Sequence, residues 1–413
     1  MTDLTVMAWR NLWRRKRRTW ITAISVAFGV LLSVTFTGMA DYSYKNMINT
    51  SARMGMGHIT LQAPGYHDQP SLEKRIRFSV TDRRQLLQNP AIATAVGRIT
   101  GQAMFASARK TVGGFFYAID PRQDNTDAFY LLQSLVDGKV FERPGDRSVV
   151  IGLGLAEKLN LRLGKKLVYT TTDINGDIVS DVARVVGLFR TGIDDVDGAA
   201  AVFAIDSVRQ LLSYDENEVS LVAITIKDQR KLEQPLASIR ADFGGRAVEV
   251  LDWRRTQADL AGLINIDMTS NYLLQFLIGL VIAAGILNTL LMSVMERSQE
   301  FGVMLAVGMS ARTLFRLVLV ESLWIAIMGL FVGLLITGPA YYYLSTVGID
   351  LGSSLGDNYQ AGGVLLDPIM KIQIHIDRLL WILLGVFGLT LLSGMYPAWK
   401  AGRIVPVKSL RTI

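Results

Sequence analysis

The chain has no cysteine, only three histidines among 413 residues, and charged side chains at only 19% of positions. The absence of cysteine excludes disulfide bonds, thiolate catalysis and zinc sites built on cysteine. The histidines His58, His67 and His375 lack metal-ligand spacing, so no metal site is predicted. No G-x-x-x-x-G-K-[ST] motif occurs, so any ATP that drives this protein must be bound by another chain.

Apolar residues, in contrast, fill half of all positions, and the mean hydropathy is +0.30. Four runs contain no charged residue and are long enough to cross a bilayer. These runs are residues 21–40, 268–295, 322–349 and 379–399. The sequence therefore predicts a membrane protein with four spans.

Basic residues near the ends of the spans predict its orientation. Residues 1–18 hold six basic side chains and one acidic one, and residues 400–413 hold four basic and no acidic ones. By the positive-inside rule, both termini are expected in the cytoplasm. The long segment after the first span is then extracytoplasmic. Membrane orientation explains the basic surplus, so nucleic-acid binding is not predicted.

The predicted fold is an α-helical membrane protein with four transmembrane helices and a large α+β extracytoplasmic domain inserted between helices 1 and 2. Short β-like runs alternate with helical ones through that domain, which is large enough to bury its own core. The predicted order is an amphipathic basic helix (1–18), helix 1 (19–41), the extracytoplasmic domain (42–268), helix 2 (269–295), a coupling helix (296–313), helix 3 (314–346), an outer loop (347–377), helix 4 (378–399) and a tail (400–413).

Within the extracytoplasmic domain, residues 115–119 and 166–172 are predicted strands, and residues 252–264 a predicted helix. Asn175-Gly176 between two apolar runs predicts a short hairpin. Residues 352–356 fit the G-x-S-x-G pattern of a serine nucleophile, but they fall in a short outer loop without the required strand and helix. No catalytic residue is therefore predicted.

Small and polar residues inside the spans point to helix contacts. Small side chains let helices approach closely in lipid, either within one chain or across a dimer. The residues with this predicted role are Ser25, Gly29, Ser33, Thr37, Gly329 and Gly333. Glu321 is costly inside a span, and the sequence favours its reaching the cytoplasmic edge near Arg316 over a coupling or proton-relay role.

A short amphipathic segment lies between the second and third spans. At helical spacing Phe301, Met304, Leu305 and Gly308 share one side, and Glu296 and Glu300 line another. Such a helix can contact a cytosolic partner, although a plain interfacial helix has the same pattern. The predicted coupling residues are Glu296, Arg297, Glu300, Phe301, Gly302, Met304, Leu305, Gly308, Met309 and Ser310.

Taken together, these motifs resemble the MacB/FtsX superfamily of ABC-transporter permeases, most closely its lipoprotein-releasing LolC/LolE-like branch. Residues 296–310 resemble the E-x-x-x-E-[FI]-G-x-x-x-A-x-G coupling segment of that family, and residues 396–410 its Y-P-A-x-x-A closing pattern. Residues 9–12 (WRNL), 119–121 (IDP) and 149–159 (VVIGLGLAEKL) also look like family signatures. The resemblance covers nearly the whole chain.

The resemblance implies a dimeric, non-catalytic permease in the bacterial inner membrane, paired with a copy or a paralogue. Two cytoplasmic ATPase subunits would bind ATP and magnesium, and their motion would be carried to the outer domains. The cargo would be a lipoprotein or another amphiphile taken from the outer leaflet and passed to a periplasmic carrier. Position and hydrophobicity predict the residues lining the apolar cavity: Val34, Phe36, Met39, Leu273 and Phe276.

Two other functions stay open at this point. One is an FtsX-like module that signals to a periplasmic hydrolase, and the other is a MacB-like exporter of peptides or hydrophobic small molecules. The hairpin around residues 173–177 is also shorter than the protruding loop with which the family's carrier-recruiting member binds its carrier. Direct capture of a carrier by this chain therefore stays open, beside a non-recruiting partner of a heterodimer and a homodimeric relative with another hydrophobic cargo.

Overall fold

The computed structural model describes residues 2–14, 16–124, 128–350, 360–361, 364–365 and 369–404. The predictions for residues 352–356 and for the end of the tail lie outside these ranges. The chain divides into two compact units, one made mainly of the long helices and one of the segment between the first two of them.

Four helices of the described chain are long and apolar enough to cross a membrane. Two short helices accompany them, α1 before the first span and α11 between the second and third spans. The helices of this unit are α1 (Thr2–Arg14), α2 (Lys16–Ser51), α10 (Ala258–Glu296), α11 (Ser298–Ala306), α12 (Ala311–Thr346) and α13 (Ile376–Gly402). Side chains from different spans pack together in a core that includes Val26, Val30, Ile286 and Ile325.

The outer unit, residues 43–265, is built on one large sheet with the strand order β12-β1-β11-β3-β4-β9-β6-β8-β5, and β7 pairs with β3 and β8. The strands are β1 (Ile59–Gln62), β3 (Ile92–Ala106), β4 (Thr111–Ile119), β5 (Leu135–Gly138), β6 (Ser148–Gly152), β7 (Lys166–Thr172), β8 (Ile178–Phe189), β9 (Ala200–Ala204), β11 (Leu221–Ile226) and β12 (Glu249–Asp252). A separate pair is formed by β2 (Ile76–Arg77) and β10 (Glu218–Val219).

Short helices complete the α+β outer unit. They are α3 (Val80–Leu87), α4 (Tyr130–Gln133), α5 (Leu153–Leu159), α6 (Asp194–Asp197), α7 (Ile205–Leu212), α8 (Glu233–Phe243) and α9 (Trp253–Thr256). The buried core includes Phe129, Phe189 and Val202. The predicted hairpin is present, and Asp173 Oδ1 accepts hydrogen bonds from the backbone N–H groups of Asn175 and Asp177 at its tip.

The structure differs from the sequence prediction at several places in this unit, of which the following two involve long segments. Strand β3 was not predicted; it pairs first with β11 and, beyond residue 98, with β4 and β7. The predicted helix over residues 252–264 is instead divided between the end of β12, α9 and the start of α10. The break occurs at Gln257, whose ψ of 56° lies outside the helical region.

A buried arginine anchors the segment that follows α2. Arg98 on β3 is 1% exposed and forms a forked pair with Asp124, with both N–O distances at 2.6 Å. A third donor, Nη1, reaches the Gly55 carbonyl at 2.7 Å. Gly55 has φ +153°, and a Cβ there would lie 2.6 Å from the Tyr117 ring, so this position requires glycine.

A buried histidine makes the outer unit sensitive to acid. His58 Nδ1 accepts from the Ile226 N–H at 3.3 Å, so Nε2 carries the proton and donates to Asn49 Oδ1 at 3.0 Å. Burial lowers the pKa of His58 from 6.5 to about 4. The unfolded chain therefore binds a proton at a higher pH than the native chain does, and stability is lost as pH falls from 6.5 toward 4.

We expect the outer unit of the full-length protein to lose about 2 kcal/mol of unfolding free energy through His58 between pH 7 and pH 5. His58→Gln cannot be protonated and should remove that part of the pH dependence. Urea titrations of the solubilised chain at both pH values measure it. Equal losses in the two proteins would contradict the assignment.

Candidate coupling site and helix contacts

The segment between the second and third spans folds as a short helix with defined ends. Arg297 has φ −99° and ψ 13° and separates α10 from α11. Gly308 has φ +107°, a value that favours glycine, and it lies in the turn after α11. Ser310 then caps α12 by accepting from the Thr313 N–H at 3.2 Å. The sequence thus holds α11 tightly between the two spans.

The apolar side of α11 faces the spans. Phe301 is fully buried with Ala8, Leu317 and Ala398, and Met304, Leu305 and Met309 pack against the same cluster. Gly302 is also buried. These predicted coupling residues therefore position the helix and are not its free surface.

The exposed side of α11 is not the side on which the sequence pattern grouped the apolar residues. Val307 is 84% exposed and Val303 is also exposed, as are Gly308 and Ser310. Sequence analysis missed the two valines. Helical spacing places residues 303 and 307 on one side, away from the side that carries Phe301, but it does not indicate which of the two sides is exposed.

Arg297 is directed inward and does not offer its charge to a cytosolic partner. Its Nη1 donates to both carboxylate oxygens of Glu321 at 2.9 Å, and its guanidinium lies 4.7 Å from the Phe301 ring centre. Asn11 Nδ2 donates to the same carboxylate at 2.8 Å. The predicted partner of Glu321, Arg316, is therefore wrong: the Glu321 carboxylate is buried and paired with Arg297.

The remaining glutamates form weaker, more exposed pairs. Glu296 accepts two hydrogen bonds from Arg18, at 2.7 and 3.1 Å. Glu300 lies 3.3 Å from Arg297 Nε and 3.9 Å from Arg14. Exposed pairs of this kind contribute little to stability.

The small residues of the spans make contacts within this chain. A Cβ at Gly29 would lie 2.5 Å from Ile282 of α10, and one at Gly329 would lie 2.5 Å from Val26 of α2. Gly333 approaches Val30 in the same way, at 3.1 Å. The GxxxG of the third span therefore packs against the first span.

Polar residues of the first span also contact the second span. Gln275 Nε2 donates to Thr37 Oγ1 at 3.1 Å and to the Ser33 carbonyl at 3.3 Å, which ties α2 to α10. Ser25 bonds only the Ile21 carbonyl of its own helix among the hydrogen bonds of the described residues. Ser25 is thus less involved in helix contact than the sequence pattern suggested.

The predicted cavity residues separate into two groups. Phe36, Leu273 and Phe276 are exposed on the spans, and Met39 is half-buried. Val34 is instead buried in the core formed by the spans, because it faces Val30, Ile286 and Val386. The assignment of Val34 to a cargo cavity is therefore wrong for this structure.

The described residues contain no group of histidine, aspartate and glutamate side chains that could hold a metal ion. The chain has one span before a large α+β domain, three spans after it, and a short helix between the second and third. This is the organisation that the resemblance in the sequence implied.

Comparison with known families identifies the class further. The model of the MacB-like periplasmic core domain matches residues 19–242, more than half of the chain, and the model of the FtsX-like permease C-terminal domain matches residues 272–406. The chain therefore belongs to the MacB/FtsX family of ABC-transporter permeases. It is an inner-membrane protein with a periplasmic-type domain, and the resemblance seen in the sequence is confirmed.

Several curated proteins are similar over nearly the whole chain. The lipoprotein-releasing system transmembrane protein LolC of Neisseria meningitidis serogroup B is 24% identical over 97% of both chains. LolE of Haemophilus influenzae is 20% identical over 94% of this chain and 93% of its own. The pyoverdine export ATP-binding/permease protein PvdT of Pseudomonas entomophila is 24% identical over 99% of this chain and 60% of its own.

Among solved structures, the extracellular domain of the ABC-type transporter YknZ from Gram-positive bacteria is similar over 47% of this chain and 99% of its own. The identity is 16% and the TM-score 0.34. The match to the FtsX-like permease model makes this chain a membrane-spanning permease of that family.

Proposed function

We propose that this chain is the permease subunit of an ATP-driven machine that takes lipoproteins, or other acylated amphiphiles, from the outer leaflet of a bacterial inner membrane. The observation that carries the proposal is the similarity to LolC over 97% of both chains. Both termini lie in the cytoplasm, in agreement with the basic flanks of the spans.

Large apolar side chains support a route for acyl chains along two spans. Phe36 on α2 and Leu273 and Phe276 on α10 are exposed, and Phe276 reaches 66% exposure. Together with the half-buried Met39 they offer apolar surface to an acyl chain or to a second permease subunit, a copy or a paralogue. A separate periplasmic carrier receives the cargo; because the hairpin of this chain is short, a paralogous second subunit would capture that carrier.

The exposed side of α11 supports coupling to a pair of cytoplasmic ATPase subunits, which bind ATP and Mg²⁺. Val303 on α11 and Val307, directly after its last residue, are apolar and exposed, and Phe301 fixes that helix to the spans. Burying such side chains in a groove of the ATPase gives a firm contact for transmitting motion.

We expect Val307→Asp to weaken ATPase binding about tenfold, because an aspartate in that groove would be desolvated without a partner. ATPase co-purification with the membrane-inserted chain measures the effect. Val347→Asp is the matched control, since Val347 is also exposed and lies just beyond the other end of α12. Equal binding by both variants would remove α11 from the interface.

Photo-crosslinking tests the cargo. We expect a crosslinking residue at Phe276 in ATP-depleted cells to yield adducts with an acylated protein. Phe331 on α12 is 68% exposed and provides the control for bulk lipid. A crosslinker at Val34 should give contacts within the chain, because that position is buried.

The outcome at Phe276 also separates the rival functions. Adducts limited to lipid, equal to those at Phe331, would contradict lipoprotein extraction. Adducts with peptides or small hydrophobic molecules would favour an exporter, which the similarity to PvdT also suggests. Adducts with a cell-wall hydrolase would indicate signalling.

A further inference from the structure

Three separate segments of the chain meet at the carboxylate of Glu321. Arg297, between α10 and α11, donates to both oxygens at 2.9 Å. Asn11 of α1 donates to Oε1 at 2.8 Å. Glu321 itself lies in α12, and both charged side chains are buried. We call these three residues the Glu321 junction.

The junction is poorly suited to a purely stabilising role. Removing two charges from water offsets most of their attraction, so a buried ion pair rarely stabilises more than apolar residues of similar volume do. An apolar contact tolerates sliding, whereas a paired carboxylate and guanidinium hold one relative position. The arrangement therefore favours a role in fixing positions.

The junction lies where fixing the relative positions of helices affects the movement of α11. Arg297 immediately precedes α11, and its guanidinium also lies 4.7 Å from the buried Phe301 ring. The same arginine is thus bound to the short helix, to the third span and, through the shared carboxylate, to α1. Any displacement of α11 must move these elements together or break the pair.

Space for a second arrangement lies beside the pair. A cavity of about 150 Å³ is lined by Asn11, Arg297, Glu300 and Glu321 together with hydroxyl-bearing side chains such as Thr22 and Ser293, and its wall also includes two further arginines, Arg14 and Arg18, and five apolar side chains. Such a polar cavity can hold water that solvates a displaced guanidinium. Glu300, 3.3 Å from Arg297 Nε, offers a second acceptor. The pair can therefore be broken by force without leaving a bare charge.

We propose that Glu321 is the positioning residue that makes α11, α12 and α1 move as one body when the ATPase subunits act on α11. The proposal rests on the proposed function, since it specifies how ATP-driven motion enters the spans. It assigns Asn11 and Arg297 as the two partners through which Glu321 acts.

The test uses the full chain in complex with its ATPase, in nanodiscs. Because the chain has no cysteine, spin labels attach only at introduced sites. Labels at Ser298→Cys, half-buried at the start of α11, and Ile327→Cys, exposed on α12, avoid the valines proposed to contact the ATPase. Without further substitution, we expect a single narrow distance that ATP leaves unchanged. In Glu321→Gln, ATP should broaden or shift that distance.

A second readout is the amount of acylated protein released per ATP hydrolysed. Glu321→Gln should lower this ratio about tenfold while ATP hydrolysis continues. The charge-reversed pair Arg297→Glu with Glu321→Arg should recover part of the coupling. Glu142→Gln, on the surface of the outer unit, is the control and should behave as the unsubstituted protein does.

The outcomes separate the two proposals. An unchanged label distance and an unchanged ratio in Glu321→Gln would overturn the positioning role. A parallel loss of assembly, hydrolysis and thermal stability would overturn it as well, because that pattern indicates a structural pair. If no acylated protein is released even by the unsubstituted complex, the proposed function fails, while the label distances still decide the role of Glu321.

Discussion

Replacing Arg98 by methionine lowers the unfolding free energy of the outer unit by about 3–5 kcal/mol, because it leaves the buried Asp124 carboxylate without a partner. The loss includes the hydrogen bond to the Gly55 carbonyl and the contact with the Phe129 ring, whose centre lies 4.3 Å from the guanidinium. Chemical denaturation of the full-length protein measures the change.

Two further variants decide whether the unpaired charge causes the loss of unfolding free energy in Arg98→Met. Arg98→Met combined with Asp124→Leu removes both charges and should recover much of the lost stability. Arg77→Met breaks an exposed pair with Asp215 and should cost less than about 1 kcal/mol. If the double variant is no more stable than Arg98→Met, the cause is loss of shape and not an unpaired carboxylate.

Replacing Gly329 by leucine separates the first and third spans. A Cβ at this position already lies 2.5 Å from Val26 Cβ, and Val26 is fully buried. Overpacking of this kind costs about 1–3 kcal/mol or more, and it opens the core between α2 and α12. We expect a lower thermal midpoint in nanodiscs and a loss of ATP-dependent release.

Gly385→Leu is the matched control on α13. No described atom lies within 4 Å of a Cβ built there, so the same substitution adds volume without a clash. A substitution at such a position changes stability by less than about 0.5 kcal/mol. Similar losses from Gly329→Leu and Gly385→Leu would show that the cost comes from glycine itself and not from the contact with Val26.

Elements with a distinctive residue pattern of their own could be predicted from the sequence. Charge-free runs marked the four spans, and β7 lies at residues 166–172, where alternation placed it. Strand β3 was missed because Gly97, Arg98 and Gly101 interrupt its apolar alternation. Only its partners compensate for these residues: Arg98 is paired with Asp124, and Val219 fills the space beside Gly97.

The coupling site shows the same limit of prediction from local sequence patterns. Its location and helical form follow from the sequence, but which side faces the spans does not. The sequence indicated that Glu321 is costly in a membrane, yet its partner Arg297 lies in another element, and nothing local specifies that pairing. Val34 was misplaced for the same reason, since hydrophobicity alone does not distinguish a buried residue from one that faces lipid.

The position of β1 in the sheet also sets an order for biogenesis. Ile59–Gln62 pairs only with β11 and β12 among the described strands, and β12 ends at Asp252, shortly before α10 begins. At about 5–20 residues per second, the ribosome needs roughly 10–40 s to supply those partners. The translocated segment therefore cannot complete its sheet until the second span is about to leave the ribosome. A chain interrupted before residue 249 leaves one edge of β1 unpaired, which makes it a target for quality-control proteases.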